Sequence, residues 1–314
     1  MSQADMKIEE LTNEAQRGEL LEGPHWDVER QSLYYVDIVA PAIFRYDYKN
    51  GEIYRATIKD NNAAIGFFIP VEGTTDEFVI GANREVLLIK WDGKSSQASI
   101  SKVLVEVDKA FSGNRCNDGK VDPSGVLFFG TMGDESKYDL SKTRVGSFYR
   151  FKDSTTGAFE LKNEIGISNG LTWDETNKKF FYIDSVTRDV KVYDYNQTTS
   201  EISNESILID FSKSHSGSSF APDGMTIDEN GIIYVATWNG SRIIVINPIT
   251  KKIIQEIPMP TAQVTSLAFG GPNFDILFVT TAGKPKPKLP PAGGLFKITG
   301  LGVKGLPMKS FKHY

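Results

Sequence analysis

The chain has 314 residues, of which 40% are apolar and 24% charged, an ordinary balance for a globular protein with a large core. Its net charge of −5 and the lack of a long basic run argue against nucleic acid or an anionic membrane surface as a partner. No segment approaches about 18 consecutive apolar residues and the N-terminus is polar, so we expect neither a membrane span nor a signal peptide. A single cysteine, Cys116, excludes an intramolecular disulfide, and we expect a soluble cytoplasmic protein.

Short strands rich in Tyr, Phe, Val and Ile recur along the chain, separated by turn sequences such as DG, NG and ENG. In four segments an acidic or amide residue stands five positions before an aspartate, and a turn and a second strand follow. These segments are 22–27, 117–122, 169–174 and 223–228. We assign the downstream aspartates mainly to the hairpin turns. They are Asp27, Asp122, Asp174 and Asp228.

The spacing of these segments indicates a repeat. From 117 to 169 is 52 residues, from 169 to 223 is 54, and from 22 to 117 is 95, close to two such steps. The missing unit is residues 63–93, which has the same strand–turn–strand form with an apolar start, and a last unit begins at Val264. Six units of about 40 to 50 residues, the size of a four-stranded blade, predict an all-β fold, a six-bladed β-propeller with a central channel.

We expect residues 1–314 to form one domain. Within the N-terminal segment 1–15, the sequence MKIEEL is a candidate to pair with the strands around GGLFKITG near the other end of the chain. Such pairing would close the ring and protect its last open edges.

In a propeller, equivalent positions of the innermost strands face one another across the channel. Glu22, Asn117, Asn169 and Asp223 occupy one such position. Two carboxylates and two amide oxygens that converge would repel and stay desolvated without a positive charge between them, which favours a hard divalent cation such as Ca²⁺, Mg²⁺ or Mn²⁺. The alternative is that these residues only cap strands and form Asx-turns, with the following glycine permitting the bend.

The motifs, taken in order, make a family recognisable. They are LLEGPHWD, NRCNDGKVDPSGVLFFGTMGDE, ISNGLTWDETNKKFFYIDS, APDGMTIDENG, VTSLAFGGPN and ITGLGVKG. The chain resembles the family of senescence marker protein (regucalcin), gluconolactonase and luciferin-regenerating enzyme over nearly its whole length. The segments FFIP and REVLLIKWDG look like the insect branch, which includes the luciferin-regenerating type.

The resemblance implies a six-bladed propeller with one divalent cation in the channel, with Ca²⁺ as the first choice and Zn²⁺, Mn²⁺ or Mg²⁺ as alternatives. The residues that match the family's metal ligands are Glu22, Asn169 and Asp223. Those that match its substrate-binding residues are Arg115, Asn117 and Glu135. Asp223, as ligand and neighbour of a bound water, is the candidate general base.

The function that follows is metal-dependent hydrolysis of a small sugar or related lactone, for which no oligomer is required. A channel cation can polarise the carbonyl and activate water. Two alternatives stay open: a calcium-binding regulator without turnover, and an enzyme of the luciferin-regenerating type. A serine or cysteine hydrolase is disfavoured, because none of His25, His215 and His313 is paired with a G-x-S-x-G motif.

Overall fold

The computed structural model describes residues 6–284 and 290–313. Helix is confined there to a 3-10 turn at Glu14–Gln16 and to α1 at Phe211–Ser214, and no helix of these ranges is long and apolar enough to cross a bilayer. Twenty-four strands make up most of the rest. In chain order they are β1 Lys7–Glu10, β2 Leu21–Asp27, β3 Ser32–Asp37, β4 Ala42–Asp47, β5 Ile53–Ile58, β6 Ile65–Pro70, β7 Glu77–Ala82, β8 Glu85–Lys90, β9 Gln97–Glu106, β10 Arg115–Val121, β11 Leu127–Met132, β12 Gly146–Phe151, β13 Ala158–Ile165, β14 Ser168–Asp174, β15 Lys179–Asp184, β16 Asp189–Asn196, β17 Glu201–Asp210, β18 Ala221–Ile227, β19 Ile233–Trp238, β20 Arg242–Asn247, β21 Lys252–Pro258, β22 Val264–Gly270, β23 Ile276–Thr281 and β24 Phe296–Thr299.

The strands form four sheets of four strands and one sheet of eight. Strands β10 to β13, β14 to β17 and β18 to β21 make three antiparallel sheets, and β22, β23, β24 and β1 make the fourth. In the eight-stranded sheet, the antiparallel groups β2 to β5 and β6 to β9 meet where β5 pairs in parallel with β9. This differs from the six separate sheets that the repeat predicts. The cause is a short pairing between two outer edges, Thr57 with Gln97 and Ile58 with Ala98, since edge strands offer unpaired N–H and C=O groups.

The first strand of each four-stranded group lies on the inside of the molecule. Strands β2, β6, β10, β14, β18 and β22 each contact the next one in this order, and β22 also contacts β2. The contacts therefore close a ring, and the arrangement is an all-β propeller. The strand β1 completes the sheet of β22, and its register runs from Lys7 opposite Thr299 to Glu10 opposite Phe296. Residues 1–5 of the N-terminal segment lie outside the described residues.

The four aspartates assigned to hairpin turns are confirmed in that role. In each case one carboxylate oxygen accepts a backbone N–H of the turn that follows. Asp27 and Asp174 each accept from the residue three positions later. Asp122 and Asp228 each accept from two residues, two and four positions later. Such bonds replace turn hydrogen bonds of the backbone and fix the point where each inner strand ends.

Neighbouring sheets are held together by apolar clusters. Between the β10–β13 and β14–β17 sheets, Phe148 stacks on Phe180 at 5.8 Å between ring centroids, and Phe128 meets Trp173 edge-on at 5.3 Å. Aromatic pairs in such geometries add to the stabilisation from burial alone. The packing fixes the orientation of one sheet against the next, and with it the side chains at the channel.

The residues that follow β24 cross the end of the channel where the inner strands finish. Gly305 bridges to Asp228 at the end of β18, and Phe311 bridges to Val71 just after β6. Glu22, Asn169 and Asp223 lie near the beginnings of their strands, at the other end.

Candidate functional site

Every inner strand carries a register shift close to its beginning. The shifts fall between Glu22 and His25, Ile65 and Phe67, Cys116 and Gly119, Ser168 and Leu171, Pro222 and Met225, and Val264 and Ser266. A β-bulge of this kind bends a strand and changes the direction of its side chains. Four of the bulges contain or adjoin the acidic and amide residues on which the metal prediction depends.

The structure brings all six predicted site residues to one cavity of about 160 Å³. They are Glu22, Arg115, Asn117, Glu135, Asn169 and Asp223. Four of them are buried, whereas Arg115 is partly exposed and Glu135 is exposed. The cavity thus has a polar floor of four buried side chains, and Arg115 and Glu135 are its more accessible polar groups.

The two carboxylates of the floor oppose each other's ionisation. Burial, together with the charge of Asp118, raises the pKa of Glu22 to about 8. Burial and the charges of Glu22 and Asp118 raise the pKa of Asp223 well above its ordinary range. Acidic groups that are placed together away from water behave in this way unless a cation accompanies them.

The two amides of the floor are held differently. Asn117 donates through Nδ2 to the carbonyl oxygen of Ser168 at 2.8 Å, and its Oδ1 accepts from Nη1 of Arg115 at 2.7 Å. Asn169 donates through Nδ2 to Oγ of Ser185 at 2.9 Å. Its Oδ1 is buried and has no hydrogen-bond partner among the described residues. A buried carbonyl-type oxygen without a donor is costly, and Asn169 therefore points to a cationic or hydrogen-bonding ligand.

Arg115 supplies positive charge at the edge of the polar floor. Besides the bond to Asn117, its Nη1 donates to the carbonyl oxygen of Cys116 at 3.1 Å. Burial lowers its pKa, while the carboxylates of Glu135, Glu22 and Asp223 act in the opposite direction. Since a guanidinium does not lose its proton in proteins, Arg115 stays a cation and can donate to an anionic or carbonyl oxygen.

Two further charged residues of β10 escaped the sequence prediction, the buried Asp118 and the half-buried Lys120. Asp118 accepts the backbone N–H of Gly119 through Oδ1 at 2.7 Å, and its Oδ2 has no partner among the described residues. Lys120 donates to the carbonyl oxygen of Met225 at 2.7 Å, and burial lowers its pKa. In a regular strand successive side chains point to opposite faces, so the position of Asn117 alone does not predict an inward Asp118. The bulge of β10 breaks the alternation, and the signal in the sequence is an acidic residue directly after the amide Asn117.

A comparison with known proteins decides the family. A family model described as "SMP-30/Gluconolactonase/LRE-like region" matches residues 20–283. The chain belongs to this family. Regucalcin of Bos taurus, a relative, is 36% identical over 292 residues, which cover 91% of this chain and 92% of that protein.

Solved structures agree with the family assignment. A luciferin-regenerating enzyme superposes with a TM-score of 0.88 at 35% identity, covering 98% of this chain and 99% of that one. A calcium-binding regucalcin from Agrobacterium tumefaciens has a TM-score of 0.83 at 21% identity, covering 96% of each chain. The second likeness supports the fold alone. The resemblance to the SMP-30/gluconolactonase family that the motifs indicate is therefore confirmed.

The donor set of this family member fits a hard cation. No group of three or more His, Cys, Asp and Glu side chains in the described ranges is arranged to hold a metal, so the site depends on amide as well as carboxylate oxygens. The unpartnered Oδ1 of Asn169 lines the cavity and is the oxygen that such an ion would satisfy. Among the described residues neither histidine nor cysteine lines the cavity, which favours oxygen-preferring ions over zinc. Cys116 is fully buried, and burial raises the pKa of its thiol, as expected for a packing role.

Gly170 lets two inner strands approach closely beside the site. A Cβ atom at this position would lie 2.6 Å from the carbonyl oxygen of Asp223 and 2.8 Å from the backbone nitrogen of Met225. Both atoms belong to the backbone of β18, which cannot rotate away as a side chain would. Replacing Gly170 by alanine is therefore expected to lower the free energy of unfolding by about 1–3 kcal/mol, the usual cost of overpacking. Urea unfolding of the two proteins measures the difference.

Gly217 offers the matched control, because a Cβ atom there has no neighbour within 4 Å. The Gly217→Ala variant should unfold within about 0.5 kcal/mol of the native chain, as surface substitutions usually do. If Gly170→Ala were equally harmless, the close approach of β14 and β18 would not be a constraint on the site.

Proposed function

We propose that this protein is a divalent-cation-dependent hydrolase that opens lactones. The observation that carries the proposal is that two buried carboxylates, an amide with an unpartnered oxygen and an arginine line one cavity. These residues are Glu22, Asp223, Asn169 and Arg115. Membership of a family whose description includes gluconolactonase supports the same reaction.

The fold that we propose is a propeller of six blades, with residues 1–314 as one domain. Six inner strands contact one another in a closed ring. The eight-stranded sheet counts as two blades, because only two residue pairs join its halves. Six radial groups leave a channel that is lined by the beginnings of six strands, where the acidic and amide side chains lie.

Glu22, Asn169 and Asp223 would hold the cation, with Ca²⁺ as the first choice and Zn²⁺, Mn²⁺ or Mg²⁺ as alternatives. When bound, the cation would polarise the lactone carbonyl and lower the pKa of a water molecule. The unpartnered Oδ1 of Asn169 supports this assignment, since a cation would supply the interaction that no protein donor provides.

The protein's own side chains orient the substrate and move the proton. Within the described residues only Nη1 of Arg115 is engaged in hydrogen bonds, so its other N–H groups are available to the carbonyl or a hydroxyl oxygen of the lactone. Asn117 fixes the guanidinium through Oδ1. Glu135, an exposed residue of the cavity wall, would accept a hydrogen bond from a hydroxyl group where the substrate carries one.

Asp223 is the proposed general base. It takes a proton from the water whose oxygen bonds to the carbonyl carbon, and the bond from that carbon to the ring oxygen then breaks. The ring oxygen leaves with a proton and becomes a hydroxyl group. The product is a hydroxy acid, which is ionised at neutral pH, so each turnover releases one proton to the solvent.

Proton release tests the proposal directly. The protein is first treated with EDTA and then assayed in weak buffer with a pH indicator, on a panel of sugar and alkyl lactones, with the spontaneous rate subtracted. Turnover is expected after addition of Ca²⁺ and not in EDTA. A calcium-independent rate would overturn the role of the cation, and the lack of turnover on any lactone with any of the four ions would overturn the hydrolase.

A calcium-binding protein without turnover is the second candidate. The oxygen-only donor set favours it, because such a site binds calcium whether or not a reaction follows. Its signature is calorimetric binding of Ca²⁺ to a protein that opens none of the lactones.

A further inference from the structure

The cavity has two layers with different chemistry. Side chains two positions apart on a strand point to the same face and lie about 7 Å apart. Two residues before the acidic and amide positions stand Leu20, Arg115, Ile167 and Ala221, each at the start of an inner strand or directly before it. All four line the cavity. Three of these four are apolar, although the layer beneath them is polar throughout.

The neighbouring strands extend this apolar layer. Ile38 donates its backbone N–H to the carbonyl oxygen of Leu20 at 3.0 Å, and Trp238 is paired with Ala221. Met132 is paired with Arg115 and also bridges to Ile167. The apolar rim consists of Leu20, Ile38, Met132, Ile167, Ala221 and Trp238.

Backbone pairing makes the apolar rim a fixed surface. Each of its members has its backbone held by a strand pairing, an isolated bridge or a hydrogen bond to a neighbour, so apolar side chains stay at these positions of the cavity. Polar side chains on the cavity wall above the floor are confined to Arg115, Glu135 and Ser185 among the described residues. The sides formed by Leu20 with Ile38 and by Ala221 with Trp238 have no side-chain donor or acceptor apart from the indole N–H.

The contrast between the polar floor and the apolar rim determines which substituents of a lactone the cavity binds favourably. A polyhydroxylated lactone would press several hydroxyl groups against the apolar rim, where each buried hydroxyl loses water without gaining a partner. An alkyl or aryl substituent would instead leave water and contact Trp238 and Ile38. The carbonyl group needs only the polar floor, which is the same for both kinds of substrate.

We propose that the site takes lactones that carry an alkyl or aryl substituent in preference to polyhydroxylated sugar lactones, with Trp238 as a specificity-determining residue. This inference rests on the proposed lactone hydrolysis. It names the class of substrate and assigns a role to the apolar rim, which the reaction itself does not require.

The experiment compares two δ-lactones with the same ring, δ-decanolactone and glucono-δ-lactone, in the presence of Ca²⁺. The ratio of kcat/KM for the alkyl to the sugar lactone is expected to be about tenfold or more, the scale on which apolar pockets discriminate. Trp238→Ala should lower this ratio about tenfold, and Trp238→Phe should keep most of it. Ile254→Ser, at an apolar residue that is 54% exposed outside the cavity, should leave it unchanged.

The outcomes separate this inference from the function on which it rests. Turnover that favours glucono-δ-lactone, or a ratio that Trp238→Ala does not change, would overturn the substrate preference and leave the hydrolase standing. Absence of turnover on both lactones and the wider panel would overturn the hydrolase and this inference with it.

Discussion

Replacing Glu22 by glutamine or Asp223 by asparagine is expected to abolish calcium binding and to lower kcat/KM for any lactone substrate on the order of 100-fold or more. Loss of an outer-shell partner of a metal ligand already costs about 10–100-fold, and these changes act on the proposed ligands themselves. Both substitutions keep the shape of the side chain and an oxygen, so the effect comes from the lost charge. Calorimetry with Ca²⁺ and the proton-release assay measure the two losses.

Thermal unfolding in EDTA shows whether a variant such as Glu22→Gln has lost only the charge or has failed to fold. The pKa of Glu22 is about 8 in the folded protein, against 4.5 for the free side chain. A carboxyl group whose folded pKa is raised contributes stability that is fully present below pH 4.5 and is lost as the pH rises to about 8. The native protein in EDTA is therefore expected to lose stability over this range, whereas Glu22→Gln loses less. The variant should be at least as stable as the native protein at pH 8.

Glu52→Gln is the matched control, because Glu52 is exposed and lies outside the cavity. It should bind Ca²⁺ and open lactones as the native chain does. Retention of both properties by Glu22→Gln or Asp223→Asn would contradict the assigned ligands. Loss of turnover with native calcium affinity would instead move these residues from the cation to the substrate.

The positions of the buried acids and amides could be predicted because they lie in a repeated local pattern. Asn169, for example, precedes a glycine that permits close strand approach, and Asp174 follows at the turn that ends the strand. The same pattern placed Glu22 and Asp223 at equivalent points, and they line one cavity. Local sequence is enough here, because the bulge, the glycine and the turn aspartate are all set within a few residues.

What the pattern missed depends on tertiary contacts or on departures from alternation. Asp118 was overlooked because a bulge turns two successive residues of β10 away from strict alternation. The pairing of β5 with β9 depends on how two outer edges meet, which no local signal encodes. The apolar rim, in contrast, was within reach: Leu20 and Ile167 stand two residues before acidic or amide positions and share their face of the strand.

Replacing Arg115 by methionine is expected to separate turnover from calcium binding. The guanidinium is the positive group that lines the cavity in the described part of the chain, and its charge acts on both Glu22 and Asp223. Its removal takes away a donor for the substrate oxygen, and kcat/KM should fall about 100-fold, as it does when a donor to a developing negative charge is lost. Calcium affinity should equal or exceed that of the native protein, because a like charge near the cation has gone.

Arg115→Lys sharpens the interpretation. Lysine keeps the charge and loses the planar fork, so it cannot donate to Oδ1 of Asn117 and to a substrate oxygen in the same geometry. If the orientation of the donor matters, Arg115→Lys should recover less than about a tenth of the kcat/KM that Arg115→Met loses. If charge alone suffices, the lysine variant should recover most of that loss. Arg55, which is exposed and stacks over Phe44 away from the cavity, provides the control variant Arg55→Met with native behaviour.

Calorimetry and kinetics on the same Arg115→Met preparation give the decisive comparison with Glu22→Gln. The acid variant should lose calcium and turnover together, while the arginine variant should lose turnover alone. If Arg115→Met also released calcium, the guanidinium would be holding the polar floor in place through Asn117, and the division of the cavity into cation ligands and substrate-binding residues would be wrong. If it retained native turnover, the substrate oxygen would have to be bound by another group.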